Sequence, residues 1–292
     1  MTSGRAHRLL ACWAMTIALS SGCASTPAPE PEPSAELYYS QAEEMLKGST
    51  VLFFLSDVDY QKATELLQRV IDDYPYSEFA TLAELKIGDI RFDQMRYEEA
   101  QSYYQDFVEL HPKNPQVPYA LYRNGLSYFK QIRDPDRDQR PTNEAIKQFE
   151  LVVEKHPDSE YASKARERLR ECRDTLATRH AKIGNYYYKE GVCHAAIRRY
   201  TQAIDEYPDH TDNRLTRARL GVCLRKMERA EEGDRILGAV LTEELDEDLL
   251  EELTLQLGDD LEPLRGRGLE AIPGPGASST AQINTGPDVG GQ

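Results

Sequence analysis

Along most of this chain apolar residues recur three and four positions apart, and no stretch sustains an alternation of period two. That pattern predicts helices throughout and no strands. Four segments align on a proline: "DYQKATELLQRVIDDYP" (59–75), "RYEEAQSYYQDFVELHP" (96–112), "TNEAIKQFELVVEKHP" (142–157) and "GVCHAAIRRYTQAIDEYP" (191–208). Twelve positions before each proline stands a small residue, Ala63, Ala100, Ala145 or Ala196. Four residues later comes Leu67, Tyr104, Phe149 or Tyr200, and three beyond that Val70, Phe107, Val152 or Ala203. Small, large and apolar residues at i, i+4 and i+7 make one buried stripe on a helix. Proline ends each helix because it lacks an N–H and disfavours helix in the residue before it.

An earlier helix precedes each segment, and a small residue marks where the two cross. Gly88 stands twelve residues before Ala100, and Gly184 twelve before Ala196. Gly125 has this place before Ala145, and Ala42 before Ala63, with extra residues between. A weaker fifth unit runs from about Asp212 to Leu241, with Ala218 and Ala230 twelve apart and no closing proline. The spacing resembles the tetratricopeptide repeat. It implies an all-α superhelix of about five helix pairs over residues 36–242.

Three features depart from a plain repeat. "VLFFL" (51–55) lies in an insertion of about nine residues between the helices of the first repeat. It is read as a lengthened connection packed on the neighbouring repeat, the alternative being an exposed contact patch. "RDPDRDQRP" (133–141) is a charged, proline-bounded surface loop without the Gly and closing Glu of a calcium loop. After His156-Pro157, Asp158 and Ser159 stand where caps accept the free N–H groups of a new helix. That helix meets no internal proline and should run about thirty residues.

The termini have a different composition. Arg5, His7 and Arg8 precede the apolar run "LLACWAMTIAL" (9–19), and "LSSGC" ends at Cys23. This order resembles a lipoprotein signal, residues 1–22, with Cys23 as the acylated residue. Ala24 follows, where an Asp would favour the inner membrane, so the outer membrane facing the periplasm is implied. Residues 23–35 form a proline-rich tether. The net charge is −15, and residues 243–292 hold 12 acids against 2 arginines, so the excess negative charge is mostly there. That segment is expected to be an acidic, largely disordered tail, in which "EELDEDLLEELTLQLGDDLEPL" could make a fraying helix and residues 271–292 should be disordered. A chain this acidic is a poor nucleic-acid binder. Cys172, Cys193 and Cys223 all fall in helical patterns and are read as small buried hydrophobes, a Cys193–Cys223 bridge being conceivable.

No paired nucleophile and base, phosphate loop or metal-binding spacing occurs, so the chain is read as a non-enzyme needing no cofactor and no metal. First helices line the concave face of such arrays. Leu82, Leu85, Asp89, Phe92, Tyr119, Tyr122, Leu126 and Phe129 are the candidates for an aromatic-rich peptide-binding face, at most half of them ligand-facing.

The block "DRDQRPTNEAIKQFELVVEKHPDSEYASKARERLRECRDTLATRHAKIGNYYYKEG" and "HAAIRRYTQAIDEYP" resemble the BamD, or YfiO, family of β-barrel assembly lipoproteins. The lipobox-like signal and tether fit the same family. The resemblance implies an outer-membrane scaffold that binds BamA-like POTRA domains and unfolded outer-membrane proteins and, in some lineages, other Bam lipoproteins. It implies that Arg199, with Arg198 its neighbour, engages an acidic residue on BamA. The competing reading is another periplasmic repeat adaptor resembling the Tol–Pal coordinator, whose N-terminal coiled coil the proline-rich tether cannot form.

Overall fold

The computed structural model describes residues 33–47, 49–52, 55–208 and 213–267. The signal region with Cys23, most of the tether, and residues 268–292 lie outside them. Ten helices make five antiparallel pairs: α1 Ala35–Lys47 with α2 Tyr60–Asp73, α3 Glu78–Asp93 with α4 Tyr97–Leu110, α5 Val117–Phe129 with α6 Arg140–Lys155, α7 Glu160–Lys189 with α8 Cys193–Asp205, and α9 Arg214–Lys226 with α10 Ala230–Leu241. Each second helix also packs on the next first helix, so the pairs stack into one all-α tetratricopeptide array.

The stripe positions are the core. Ala63, Ala100, Ala145 and Ala196 have no exposed surface, nor do Leu67, Tyr104, Phe149 and Tyr200. Ala42, Gly88, Gly125 and Gly184 are buried at the crossings. A β-carbon on Gly125 would stand 2.6 Å from Phe149 Cε1, and one on Gly184 2.5 Å from Tyr200 Cε1. The absent side chain is therefore what seats the ring, and each seated ring removes a large apolar area from water.

The helix ends explain why the period is so regular. Tyr74, His111 and His156, each before its proline, leave the helix at φ near −130° and ψ near +50° but still donate to Val70, Phe107 and Val152. The turns within pairs repeat as well. Met95, Gly191 and Glu228, seven residues after Gly88, Gly184 and Gly221, all have positive φ. In each, the next amide reaches back over the turn: Arg96 to Arg91, Val192 to Tyr187, Arg229 to Leu224. Only repeat four places glycine at this left-handed position, so Met95 and Glu228 carry some backbone strain.

Helix α7 has 30 residues, as the proline-free run predicts. In repeats two, three and five, thirteen residues separate the preceding proline from the crossing glycine, whereas Pro157 to Gly184 spans 27. The excess is close to four helical turns, which keeps the buried stripe on the same side. Its first half packs on α6 and its second on α8.

Five expectations change. The insertion is a β-hairpin: β1 Ser49–Leu52 pairs antiparallel with β2 Leu55–Asp57, with Ser49 opposite Asp57 and Leu52 opposite Leu55. Local strand pairing satisfies a backbone that a long apolar loop would leave unpaired. Whether its apolar side chains pack or stand free lies outside the described residues.

In the fifth repeat Ala218 is buried but Ala230 is exposed. The crossing pair is Gly221 and Gly233, where a β-carbon on Gly233 would lie 2.6 Å from the Gly221 carbonyl oxygen. Leu237 and Val240 then take the i+4 and i+7 places, both fully buried.

The packed region also passes residue 242. Helix α11 (Glu247–Leu257), a 3-10 turn (Gly258–Asp260) and helix α12 (Leu261–Arg267) bury Leu249, Leu253, Leu257 and Leu264 against the fifth repeat. Leucine spacing, not net charge, decides the state of this segment. Ser159 is the N-cap residue of α7, but its hydroxyl makes no capping hydrogen bond, unlike Ser77, which accepts from the Phe79 amide. Finally, Cys193 and Cys223 are bonded, with Cα atoms 5.1 Å apart, while Cys172 is a buried free thiol.

Candidate partner-binding site

The first helices lie side by side, and a repeated arrangement runs along their row. Four residues after Gly88, Gly125 and Gly184 stand Phe92, Phe129 and Tyr188. A guanidinium from the next first helix covers each ring: Arg123 over Phe92 at 4.0 Å, Arg168 over Phe129 at 5.4 Å, Arg219 over Tyr188 at 5.2 Å. Two residues before each crossing glycine is a basic residue, Lys86, Arg123, Lys182 or Arg219. Lys86 pairs with Glu43 at 3.4 Å, Arg123 with Asp89 at 3.1 Å, Lys182 with Asp136 at 3.5 Å and Arg219 with Glu252 at 2.6 Å. The arginines were not among the residues singled out from sequence, although the basic residue two before each of the four glycines marks Arg123 and Arg219 as clearly as the glycine itself; Arg168 has no such mark.

Asp89 is the hub of the second rung. Tyr104 and Tyr119 each donate a hydroxyl to it at 2.7 Å, and Arg123 Nε donates to it at 3.1 Å and to the Tyr104 oxygen at 3.0 Å. Burial, then the Asp89 charge, pushes the Tyr104 and Tyr119 phenols well above their usual range. Burial opposes the Arg123 charge, but Tyr104 and Asp89 outweigh it and its pKa is raised. Two of the eight peptide-face candidates are thereby reassigned. Asp89 is engaged within the array and Leu85 is buried core, because side chains of α4 and α5 close over both. Leu82, Phe92, Tyr119, Tyr122, Leu126 and Phe129 are half-buried and retain open surface. Tyr161 of α7 joins them, its ring 5.5 Å from Tyr119 and 5.6 Å from Tyr122.

A second surface forms around the middle of α7. Arg198 is exposed. Arg199 is half-buried, its Nη1 donating to Gln202 Oε1 at 3.1 Å while its buried Nε has no partner among the described residues. Beside it His180 stacks on Tyr207 at 6.1 Å, and burial, with a smaller contribution from Arg199, lowers the His180 pKa. Tyr207 lines two hollows. One, about 720 Å³, includes Glu150, Arg166, Arg170 and Arg173 in its walls; the other, about 310 Å³, includes Asp138, Gln139 and Arg179. The 133–141 loop forming the second is held rather than loose. Gln139 is buried and donates to the Asp134 and Arg137 carbonyls, and Arg179 donates to the Arg137 carbonyl at 2.9 Å.

Among the described residues no group of His, Cys, Asp and Glu is placed to hold a metal ion, and no helix is long and apolar enough to cross a membrane. Stacked helix pairs with one ringed inner row, and one polar elbow at the middle of α7, define a tetratricopeptide-repeat array. More narrowly, the chain belongs to the YfiO family of outer membrane lipoproteins, which matches residues 39–230. It is 33% identical over 183 residues to the outer membrane protein assembly factor BamD of Caulobacter vibrioides, covering 62% of this chain and 60% of that one. Against the BamD of Rickettsia prowazekii it is 33% identical over 156 residues, 53% of this chain and 62% of the other. Against that of Neisseria gonorrhoeae it is 27% identical over 184 residues, 60% and 66%. The matches thus span about 60–66% of these relatives' lengths.

Proposed function

We propose that this chain is an outer-membrane protein assembly factor, a lipid-anchored scaffold that holds a BamA-like POTRA domain and unfolded outer-membrane proteins. The family match over residues 39–230, from the first helix to the start of α10, carries the reading, together with relatives that are named assembly factors. Acyl chains on Cys23 would anchor it to the outer membrane on the periplasmic side. Arg199 is the proposed contact to an acidic POTRA residue. The Arg199 guanidinium is half-buried and keeps part of its surface open, and there it can donate a charge-assisted hydrogen bond to a carboxylate. The half-buried inner residues Leu82, Phe92, Tyr119, Tyr122, Leu126 and Phe129 are proposed to take extended client segments, since side-chain pockets and main-chain contacts act together there.

Binding of the purified chain to the POTRA domain of its own organism's BamA tests the contact. Arg199→Glu is expected to weaken it about 30-fold or more, the equivalent of ~2 kcal/mol. Arg198→Glu should cost less, and neither change should move the melting temperature. Undiminished binding by Arg199→Glu would remove Arg199 from the interface.

A further inference from the structure

Helix α9 carries Arg214, Arg217, Arg219, Arg225 and Lys226, and the segment after the fifth repeat answers every one of them. Arg214 donates to the Glu244 carbonyl at 2.7 Å. Arg217 reaches both Glu243 carboxylate oxygens at 2.7 and 2.9 Å. Arg219 holds Glu252 with two parallel bonds at 2.9 and 2.6 Å. Lys226 donates to Gln256 at 2.8 Å, and Arg225 joins Asp234 of α10 to Asp260. Under these pairs Leu249, Leu253 and Leu257 are buried at i, i+4 and i+8, while Leu255 on the opposite side is 77% exposed.

This is a bound amphipathic helix in all but covalent origin. Helix α11 has 11 residues, too few to be stable without its docking face. The ion pairs on either side of it, Glu243 with Arg217 and Asp260 with Arg225, have open carboxylates and are weakened by salt, while its own Glu252 is more enclosed against Arg219. The face it covers continues the inner row, because Arg219 is at once the guanidinium over Tyr188 and the partner of Glu252. The hydrogen bonds from Arg219 hold the Glu252 carboxyl below its usual range. That support is complete above the ordinary glutamate range and is lost as pH falls through the lowered value.

We propose that residues 243–267 are a tethered occupant of a helix-docking surface whose basic rim is α9 and whose apolar floor includes Leu237, Val240 and Leu241 of α10. The surface accepts in trans an acidic amphipathic helix of a partner, with leucines at the same i, i+4, i+8 spacing, that displaces the tethered one. Charge complementarity selects such a helix, the three leucine sites set its register, and tethering sets the threshold a partner must exceed. The surface lies on α9 and α10, apart from Arg199 on α8, and does not depend on the POTRA contact.

The probe is a fluorescent peptide of residues 243–267 titrated into the full chain. The unaltered chain should bind it weakly. Leu249→Asp with Leu253→Asp in the chain, which disables the tethered copy, should tighten peptide binding at least tenfold. Adding Arg217→Glu and Arg219→Glu should abolish it, and a peptide whose leucines are replaced by serine should not bind. Equal affinity for the unaltered and leucine-substituted chains would overturn the proposal, as would binding of the serine peptide. Loss of hydrogen-exchange protection in α9 of the leucine-substituted chain would also overturn it, by making the segment an integral part of the fifth repeat.

Discussion

Asp89→Ala is expected to destabilise the array by about 3 kcal/mol, because it leaves the Arg123 guanidinium, in a site made for an ion pair, with only the more exposed Asp93 carboxylate at 3.7 Å. The side chains of Arg123 and Asp89 are 17% and 18% exposed, so water cannot readily replace the lost carboxylate. Two tyrosine hydroxyls lose their acceptor in the same step. In a domain of this size the loss corresponds to a fall of roughly 6–12 °C in melting temperature. A paired change separates the charge from the packing. Asp89→Leu with Arg123→Leu should recover much of the loss, since removing both partners costs far less than stranding one. A melting temperature for Asp89→Ala within a degree or two of the unaltered chain would mean that the hub does not hold α3, α4 and α5 together.

The bond between Cys193 and Cys223 has the second large effect. It ties the start of α8 to the end of α9 across 30 residues. Closing a loop of that length is worth about 3.6 kcal/mol. Because repeats contact only their neighbours, the effect should stay in the C-terminal part. Hydrogen exchange in the Cys193→Ser, Cys223→Ser double variant should quicken in α8 to α12 and hold in α1 to α6. Reductant should produce the same pattern in the unaltered chain. The third thiol does not complicate the result: Cys172 is buried, and burial pushes its pKa up to about 12, so it has almost no thiolate to attack the bridge. Uniform quickening, or none, would contradict the local account.

Much of this fold was legible because its determinants are local. A proline stop, a small residue and a ring four positions later are all within one helix, and the 30-residue α7 follows from the absence of any breaker. The misreadings came where two local patterns compete or where the answer lies across the array. Ala218 with Ala230 and Gly221 with Gly233 are both twelve apart; only the fully buried Leu237, four after Gly233, chooses between them, since Asp234 follows Ala230 at that distance. The state of residues 247–267 depends on their leucine spacing and on Arg219 and Lys226 about thirty positions earlier, which net charge conceals. Asp89 looked ligand-facing because nothing local announces that Tyr104, Tyr119 and Arg123 converge on it. The chemistry of the elbow was legible only through family resemblance, for an arginine beside another arginine on a helix is otherwise an ordinary solvated pair.

The central claim is tested most directly by recovering the acylated chain, in mild detergent, from the envelope of its own organism and identifying what comes with it. The account predicts BamA among the recovered proteins, and its loss when Arg199→Glu is expressed at the same level. Repeated recovery of Tol or wall-synthesis proteins without BamA would contradict it.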